Sequence, residues 1–431
     1  MRVIDGRGLG DCRAVLPRAG FDVDQAVAVV APVCQSVRDE GEAALRRWSA
    51  RYDGVVPDSF RVDPEWMANR WRQLDPGLAD AMVVAIERRR RVAQAELMAD
   101  STVELAPGAT VTIRSVPIER VGLYVPGGVA PLASSVIMNV VAAQVAGVGS
   151  IALASPPQAE FGGRPHPTIA ALAHHLGVHE VYAVGGAQAI AMLAYGVPGL
   201  CVPVDLITGP GNIYVVAAKR LVSSVVGIDT EAGPTEVAIV ADATAQPRLV
   251  AADLLSQAEH DTKAAAVLIT ADPGLIEAVQ VELANQLAEL PDPVRASAAL
   301  AGEQSAIVRV SDLAQAVAVA NQYAAEHLEI MTADPAGLAR QISQAGAIFL
   351  GDTAPVSLGD YAAGSTHVLP TRAAGRHSSG LTARSFLKTV HVVDYSAAAL
   401  AEIADAVETF ALAERLPAHA RAITVRTDHA A

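Results

Sequence analysis

The sequence predicts an α/β protein: two Rossmann-like open α/β domains with largely parallel sheets, plus a helical N-terminal region and a small C-terminal helical segment. Three observations lead there. From about residue 120, short Val/Ile-rich runs alternate with helical stretches, the order expected when crossover helices join parallel strands. Residues 121–159 and 181–204 carry no charge, as do strands and helices buried in a sheet covered on both faces. Gly and Pro interrupt those stretches at Pro126-Gly127-Gly128, Pro131, Gly185-Gly186, Pro198 and Pro203. That is too dense for a membrane helix of about 20 continuous apolar residues, so a soluble chain is expected.

The elements follow in order. Residues 25–48 and 65–98 have apolar positions three and four apart, which predicts helices. The run Arg88-Arg89-Arg90-Arg91 reads as a solvated helix face. Residues 102–105, Pro107-Gly108 and 110–113 read as strand, turn and strand. Together 1–119 form an N-terminal region expected to pack with the second α/β domain. The first α/β domain, 120–234, has strands expected at 121–125, 151–154, 181–184 and 204–207, and a helix opening at Asn212 and running through Lys219 and Arg220. The second, 235–380, has strands expected at 236–240, 265–269, 306–310, 329–331 and 347–350. The two sets are similar in length and order without a residue-level repeat. Residues 351–379 are rich in Gly, Ser, Thr and Pro, and so long an irregular run is functional or disordered. The segment 381–431 holds an amphipathic helix at 397–415 and a short stretch around His419.

Composition excludes several classes. At about 150 residues per domain, 431 residues suggest two to three folding units. With 52 % apolar and 18 % charged residues, disorder is excluded as the main state. A net charge of −14 argues against nucleic acid and anionic membranes as partners. The lysines are Lys219, Lys263 and Lys388, none in a G-x-x-x-x-G-K-[ST] context. Cys12, Cys34 and Cys201 are far apart and form no C-x-x-C pair, which argues against a disulfide scaffold or thiolate zinc site and fits a reducing compartment. The opening MRVIDGRGLGD lacks an apolar h-region, so no signal peptide is expected and the location is expected to be cytoplasmic.

No G-x-G-x-x-G exists; Gly6-x-Gly8-x-Gly10 fails the spacing and follows no expected strand. Glycine-rich turns stand instead at strand ends: Pro126-Gly127-Gly128, Gly185-Gly186-Ala187-Gln188 and Gly209-Pro210-Gly211-Asn212. The carboxyl ends of strands in open α/β sheets bind ligands, so these are candidates for a small-molecule cleft, with structural tight turns as the alternative.

Four polar patterns could carry chemistry. Gln257-x-x-His260 ends the helical run 249–259, where residues three apart share a face; alone, it is explained more simply by a helix-end histidine bonded to carbonyls. Glu326-His327 lies where a helix at 312–325 gives way to a strand, so both side chains can turn inward. Such a pair can activate water and shuttle a proton near neutral pH, although alone it also fits a surface cap. Asp360 and Gly364-Ser365-Thr366-His367 supply a carboxylate and an imidazole that, with an amide oxygen, suit zinc or manganese. His175-x-x-x-His179 lacks the Glu of H-E-x-x-H and reads as a polar helix end.

Taken together, VGLYVPGG (121–128), GGAQAIA (185–191), TGPGN (208–212), EAGPTE (231–236), DLLSQAEHD (253–261), EHLE (326–329), GDYAAGSTHVLPT (359–371) and the C-terminal pair Glu414 and His419 resemble the histidinol dehydrogenase family, in order, over about 120–420. The resemblance implies oxidation of L-histidinol through L-histidinaldehyde to L-histidine with two NAD, within histidine biosynthesis. It implies one zinc ion per subunit held by Gln257, His260, Asp360 and His419, the last from the partner subunit of a homodimer with shared active sites. By the same resemblance Glu326 and His327 are catalytic, His327 as base for the alcohol proton and Glu326 as activator of water. Thr235, His367 and Glu414 fall at substrate positions with His327 and the metal ligands, and Tyr124, Gln188 and Asn212 at NAD positions. Thr235 stands where the family usually has Ser; the hydroxyl is kept and a methyl added. A zinc-dependent hydrolase built on the same side chains is the alternative reading.

Overall fold

The computed structural model describes residues 1–20, 22–127 and 131–427; Gly128 of the first glycine-rich turn lies outside them. The chain divides into two units, one of residues 1–96 and 119–386, the other of 97–118 with the chain from 387 onward.

The first unit opens with β1 (Arg2–Asp5), α1 (Val23–Glu40), α2 (Glu42–Trp48), α3 (Pro64–Arg72) and α4 (Pro76–Glu96). The two expected helical runs are therefore four helices. Gly41, at φ 59°, divides the first, and the second is divided ahead of Pro76, where a ring with fixed φ and no N–H suits a helix start. Asp22 and Asp63 cap α1 and α3, accepting from the Gln25 and Glu65 amides at 3.0 Å. The second unit begins with β2 (Ser101–Ala106) and β3 (Ala109–Pro117).

The first sheet comes from β4 (Arg120–Tyr124), α5 (Ala133–Ala146), β5 (Ser150–Ser155), α6 (Pro167–His175), β6 (Glu180–Ala183), α7 (Gly186–Tyr195), β7 (Leu206–Thr208), α8 (Ile213–Val222) and β8 (Gly227–Ile228). Its order is β6-β5-β4-β7-β8, all parallel. The second comes from β9 (Glu236–Ala241), α9 (Pro247–Ala258), β10 (Ala265–Thr270), α10 (Pro273–Glu289), α11 (Val294–Ala301), β11 (Ala306–Arg309), α12 (Leu313–Tyr323), β12 (His327–Met331), α13 (Pro335–Ala339), β13 (Ala347–Leu350) and α14 (Val356–Tyr361). Its order is β1-β11-β10-β9-β12-β13, again all parallel. Apart from the added edge strand β1, both sheets start at a central strand, grow two strands to one side, then return to the other. The expected α/β class with largely parallel sheets is borne out, and the two halves share one winding without sharing a sequence repeat.

Strand alternation sets the cores. On β9, Val237, Ile239 and Ala241 face one apolar cluster with α9, α10 and α11, whereas Ala238 and Val240 face another with α12. Two expectations for the N-terminal region need correction. Its helices are divided between the halves: α4 reaches the second through Arg89 and the Gly364 carbonyl, but Val30, Val33 and Val37 of α1, with Leu45 and Phe60, share a core with Ile190, Val215 and Val222 of the first. Their apolar faces cover α7 and α8, which the sequence order could not show. Gly6 does follow a strand, since Val3 and Ile4 of β1 pair with β11.

The second unit is completed by β14 (Leu387–Tyr395), α15 (Ala397–Ala413) and α16 (Pro417–Thr427). Its sheet, β14-β3-β2, is antiparallel. The expectation of a purely helical C-terminal segment missed β14, whose mostly exposed LKTVHVVDY lacks the apolar density of the other strands. Among the described residues no helix is long and apolar enough to cross a membrane.

Candidate active site

Polar side chains gather at two ends of the sheets in the first unit. At the first sheet, the glycine-rich turns follow the carboxyl ends of β4, β6 and β7. The winding reverses between β4 and β7, where Leu123 pairs with Thr208, and a crevice opens at such a reversal. Tyr124 ends β4, is buried, and its hydroxyl accepts from the Gly186 amide at 3.1 Å; burial pushes its phenol up to about 12. Gln188, also buried, donates from Nε2 to Asp53 at 3.3 Å. Burial raises the Asp53 carboxyl to about 6 against the opposing pull of Ser49 and Gln188. Asn212 is exposed after β7 and caps α8, its Oδ1 accepting from the Tyr214 and Val215 amides at 3.0 and 3.2 Å. Tyr124 and Gln188 thus meet through Gly186, with Asn212 on the adjoining strand end.

The second cluster lies at the amino ends of β9 and β12. His327 opposes Val237 in register, which brings Glu326 beside the start of β9. Glu326 Oε2 accepts from the Thr235 hydroxyl at 2.6 Å and from the Glu236 amide at 2.9 Å. Gln257 Nε2 donates to Thr235 Oγ1 at 2.9 Å, which leaves Gln257 Oε1 buried without a partner. His327 is 4 % exposed and neither ring nitrogen has a hydrogen-bond partner. Its Nδ1 lies 3.5 Å from Glu326 Oε2 and its Nε2 3.9 Å from Asp360 Oδ1. Burial alone would lower this imidazole, but the Glu326 and then the Asp360 charges outweigh it and hold its pKa above the usual value.

His260 sits just past α9, so it does not share a helix face with Gln257 as the spacing suggested. Its Nε2 is nevertheless 3.8 Å from Asp360 Oδ2. Gln257, His260 and Asp360 bring an orphaned amide oxygen, an imidazole and a carboxylate that could hold a divalent cation. Among the described residues no three His, Cys, Asp or Glu side chains close into such a cluster. His367 donates from Nδ1 to the Asp360 carbonyl at 3.0 Å, so in the neutral ring Nε2 accepts from Ser135 at 3.1 Å. Burial lowers its pKa and favours that neutral form. Glu414, at the end of α15, and His419, in α16, belong to the second unit and are exposed.

Several polar groups beneath these were not singled out from sequence. Glu236 is buried, accepts from Arg18 at 2.8 Å and from the Arg372 amide at 2.9 Å, and is pushed up to about 7 by burial and by Glu326 despite Arg18. Glu329 accepts from the Val356 amide at 2.9 Å at the start of α14, which carries Asp360; burial, then the Asp253 charge, raises it well above the carboxylate range. Arg89 corrects the reading of the arginine run. Arg88, Arg90 and Arg91 are exposed, but Arg89 is fully buried, pairs with Glu96 at 2.9 Å and donates to the Gly364 carbonyl at 3.4 Å. EAGPTE and EHLE contain Glu236 and Glu329, so motif membership was the available signal for those two.

A family model described as histidinol dehydrogenase matches residues 16–427. The chain belongs to the histidinol dehydrogenase family. A histidinol dehydrogenase from Cutibacterium acnes is 61 % identical, with 99 % of each chain covered. One from Nocardia farcinica is 56 % identical over 96 % of this chain and 94 % of that one. The crystal structure of histidinol dehydrogenase from Elizabethkingia anophelis matches with a TM-score of 0.93 at 32 % identity, covering 100 % of this chain and 98 % of that one. The resemblance read from the motifs is borne out. Histidinol dehydrogenase family membership makes the chain an oxidoreductase.

Proposed function

We propose that the chain catalyses the NAD-dependent oxidation of L-histidinol, through L-histidinaldehyde, to L-histidine, with one zinc ion per subunit, as a cytoplasmic homodimer with shared active sites. The observation that carries the reading is the bond sequence Gln257 to Thr235 to Glu326 beside a buried, unpartnered His327, in a chain of a dehydrogenase family.

Gln257, His260 and Asp360 would hold the zinc, with His419 of the partner subunit as fourth ligand; the orphaned Gln257 Oε1 fits that role. When bound, zinc supplies an anchor for the substrate's imidazole and amino nitrogens, and NAD supplies the hydride acceptor. Tyr124, Gln188 and Asn212 would take the NAD at the reversal of the first sheet. His327 takes the alcohol proton through a free ring nitrogen, leaving a carbonyl as the hydride departs. Glu326, its carboxylate oriented by Thr235 and the Glu236 amide, draws a proton from water adding to the aldehyde, and the hydrate then loses a second hydride to give the acid. His367, Thr235 and Glu414 would contact the substrate. Burial of Glu326 and His327 keeps bulk water off the reacting carbon.

The test is NADH formation with L-histidinol and NAD, with product identified as L-histidine at two NADH per turnover. A flat NADH trace from folded, zinc-loaded protein overturns the reading and leaves the zinc hydrolase. His260→Asn should lower bound zinc, measured by atomic absorption; unchanged zinc removes His260 from the ligand set.

A further inference from the structure

Two buried charges at the first sheet have no part in the chemistry above. Lys219 on α8 is 2 % exposed, and the Asp229 side chain just past β8 is 5 % exposed. They form a direct ion pair, and both hold the same residue, Gly209, which follows β7. Lys219 Nζ donates to the Gly209 carbonyl at 2.9 Å, and Asp229 Oδ2 accepts the Gly209 N–H at 2.8 Å. Asp229 Oδ1 also accepts the Thr230 N–H at 2.7 Å.

Gly209 needs holding. Its φ is +114°, and a Cβ there would lie 2.0 Å from the Tyr124 carbonyl oxygen. The turn is therefore pressed against the end of β4, in a backbone conformation that side-chain-bearing residues avoid. Three residues later Asn212 caps α8. An ion pair this deep is a poor stabiliser, because desolvation consumes most of the attraction and an apolar pair of similar volume does as well. What apolar side chains cannot do is grip one residue by its backbone donor and its backbone acceptor together.

We infer that Lys219 and Asp229 are positioning residues for the dinucleotide: they clamp Gly209 so that Asn212 and the start of α8 stand fixed beside Tyr124 before NAD arrives. The inference rests on the reading that Tyr124, Gln188 and Asn212 hold NAD. A preset surface spares the ordering cost of binding, so loosening it weakens NAD without touching the amino-end cluster that would bind histidinol.

The experiment compares Lys219→Met/Asp229→Asn, which leaves no orphan charge, with Asp229→Asn alone, which keeps an acceptor for the Gly209 N–H. NAD and L-histidinol affinities are measured by calorimetry on the full-length protein. The double variant should raise the NAD dissociation constant about tenfold or more, the scale of one lost charged hydrogen bond, and leave that of histidinol within about twofold. Asp229→Asn alone should keep NAD affinity within about threefold. An unchanged NAD affinity in the double variant, an equal loss for both ligands, or failure to fold would each show a merely structural pair and overturn the inference. Asn212→Ala separates the two levels: if it also leaves NAD binding intact, the cofactor reading itself fails; if it weakens NAD and the double variant does not, only the clamp fails.

Discussion

Thr235 donates its hydroxyl to Glu326 at 2.6 Å across the junction of two parallel strands while accepting from Gln257. One hydroxyl thereby sets both the carboxylate proposed to activate water and the amide proposed to face the metal. Thr235→Ser should keep kcat within about threefold, whereas the isosteric Thr235→Val should lower it about tenfold to a hundredfold, the cost of one unmade bond to a charge plus a misplaced base. Steady-state rates of the two variants decide it; equal rates would remove Thr235 from the relay.

His327 has both ring nitrogens open in a buried setting. His327→Asn should cut kcat by about 10² to 10⁴ while the L-histidinol dissociation constant changes only slightly. Turnover persisting near the wild-type rate would move the base elsewhere.

The proposed sharing of sites between two subunits predicts complementation. His260→Asn and His419→Asn homodimers should both be nearly inactive, and mixing them under conditions of subunit exchange should restore activity, because some hybrid sites then hold a full set of ligands. Exchange without recovery counts against a shared site.

Asp53 provides a signed pH effect on stability. The unfolded carboxyl releases its proton near about pH 4, but the folded one keeps it to about 6. Native protein therefore binds more protons in that window. The stability this group contributes is complete below about pH 4 and is lost as pH rises through about 6. Asp53→Asn lacks the loss, so variant minus wild-type unfolding free energy should be larger at pH 7 than at pH 4, by on the order of 2 kcal/mol. Urea titrations at the two pH values measure it, and a difference of the opposite sign refutes it.

Arg89 ties α4 to the loop that carries His367, and its partner Glu96 also accepts from the Ala383 amide at 2.7 Å. Removing one member of a buried pair strands the other, so Arg89→Met should cost about 3–5 kcal/mol in denaturant unfolding. A loss below about 1 kcal/mol would return Arg89 to the solvated face first expected.

Legibility tracked how local the determining physics is. Nine strands of the two parallel sheets could be read because Val/Ile runs are bounded by turn residues and, in inner strands such as Ala265–Thr270, buried on both faces. β14 could not, since an exposed strand is defined by its pairing with β3 rather than by apolar content. Arg89 looked like its neighbours because what distinguishes it is its contact with Glu96 and with the Gly364 and Leu381 carbonyls, and Gly364 is 275 positions away. At the candidate site, motifs marked Glu326, His327 and Gln257, but the bonds joining them through Thr235 depend on the β9–β12 register. The Lys219–Asp229 clamp was hidden for the same reason: a lysine in an apolar helix gives no sign of which carbonyl it will meet.

The second unit is assembled from two stretches that leave the ribosome far apart in time. Strands β2 and β3 emerge as a bare hairpin, and their third strand follows only after nearly all of the first unit has been synthesised. At about 5–20 residues per second that delay is tens of seconds, during which β3 exposes an open hydrogen-bonding edge. Nascent chains should be most vulnerable to chaperone capture and to edge-to-edge association in that interval, and a variant tethering β14 directly after β3 should shorten it.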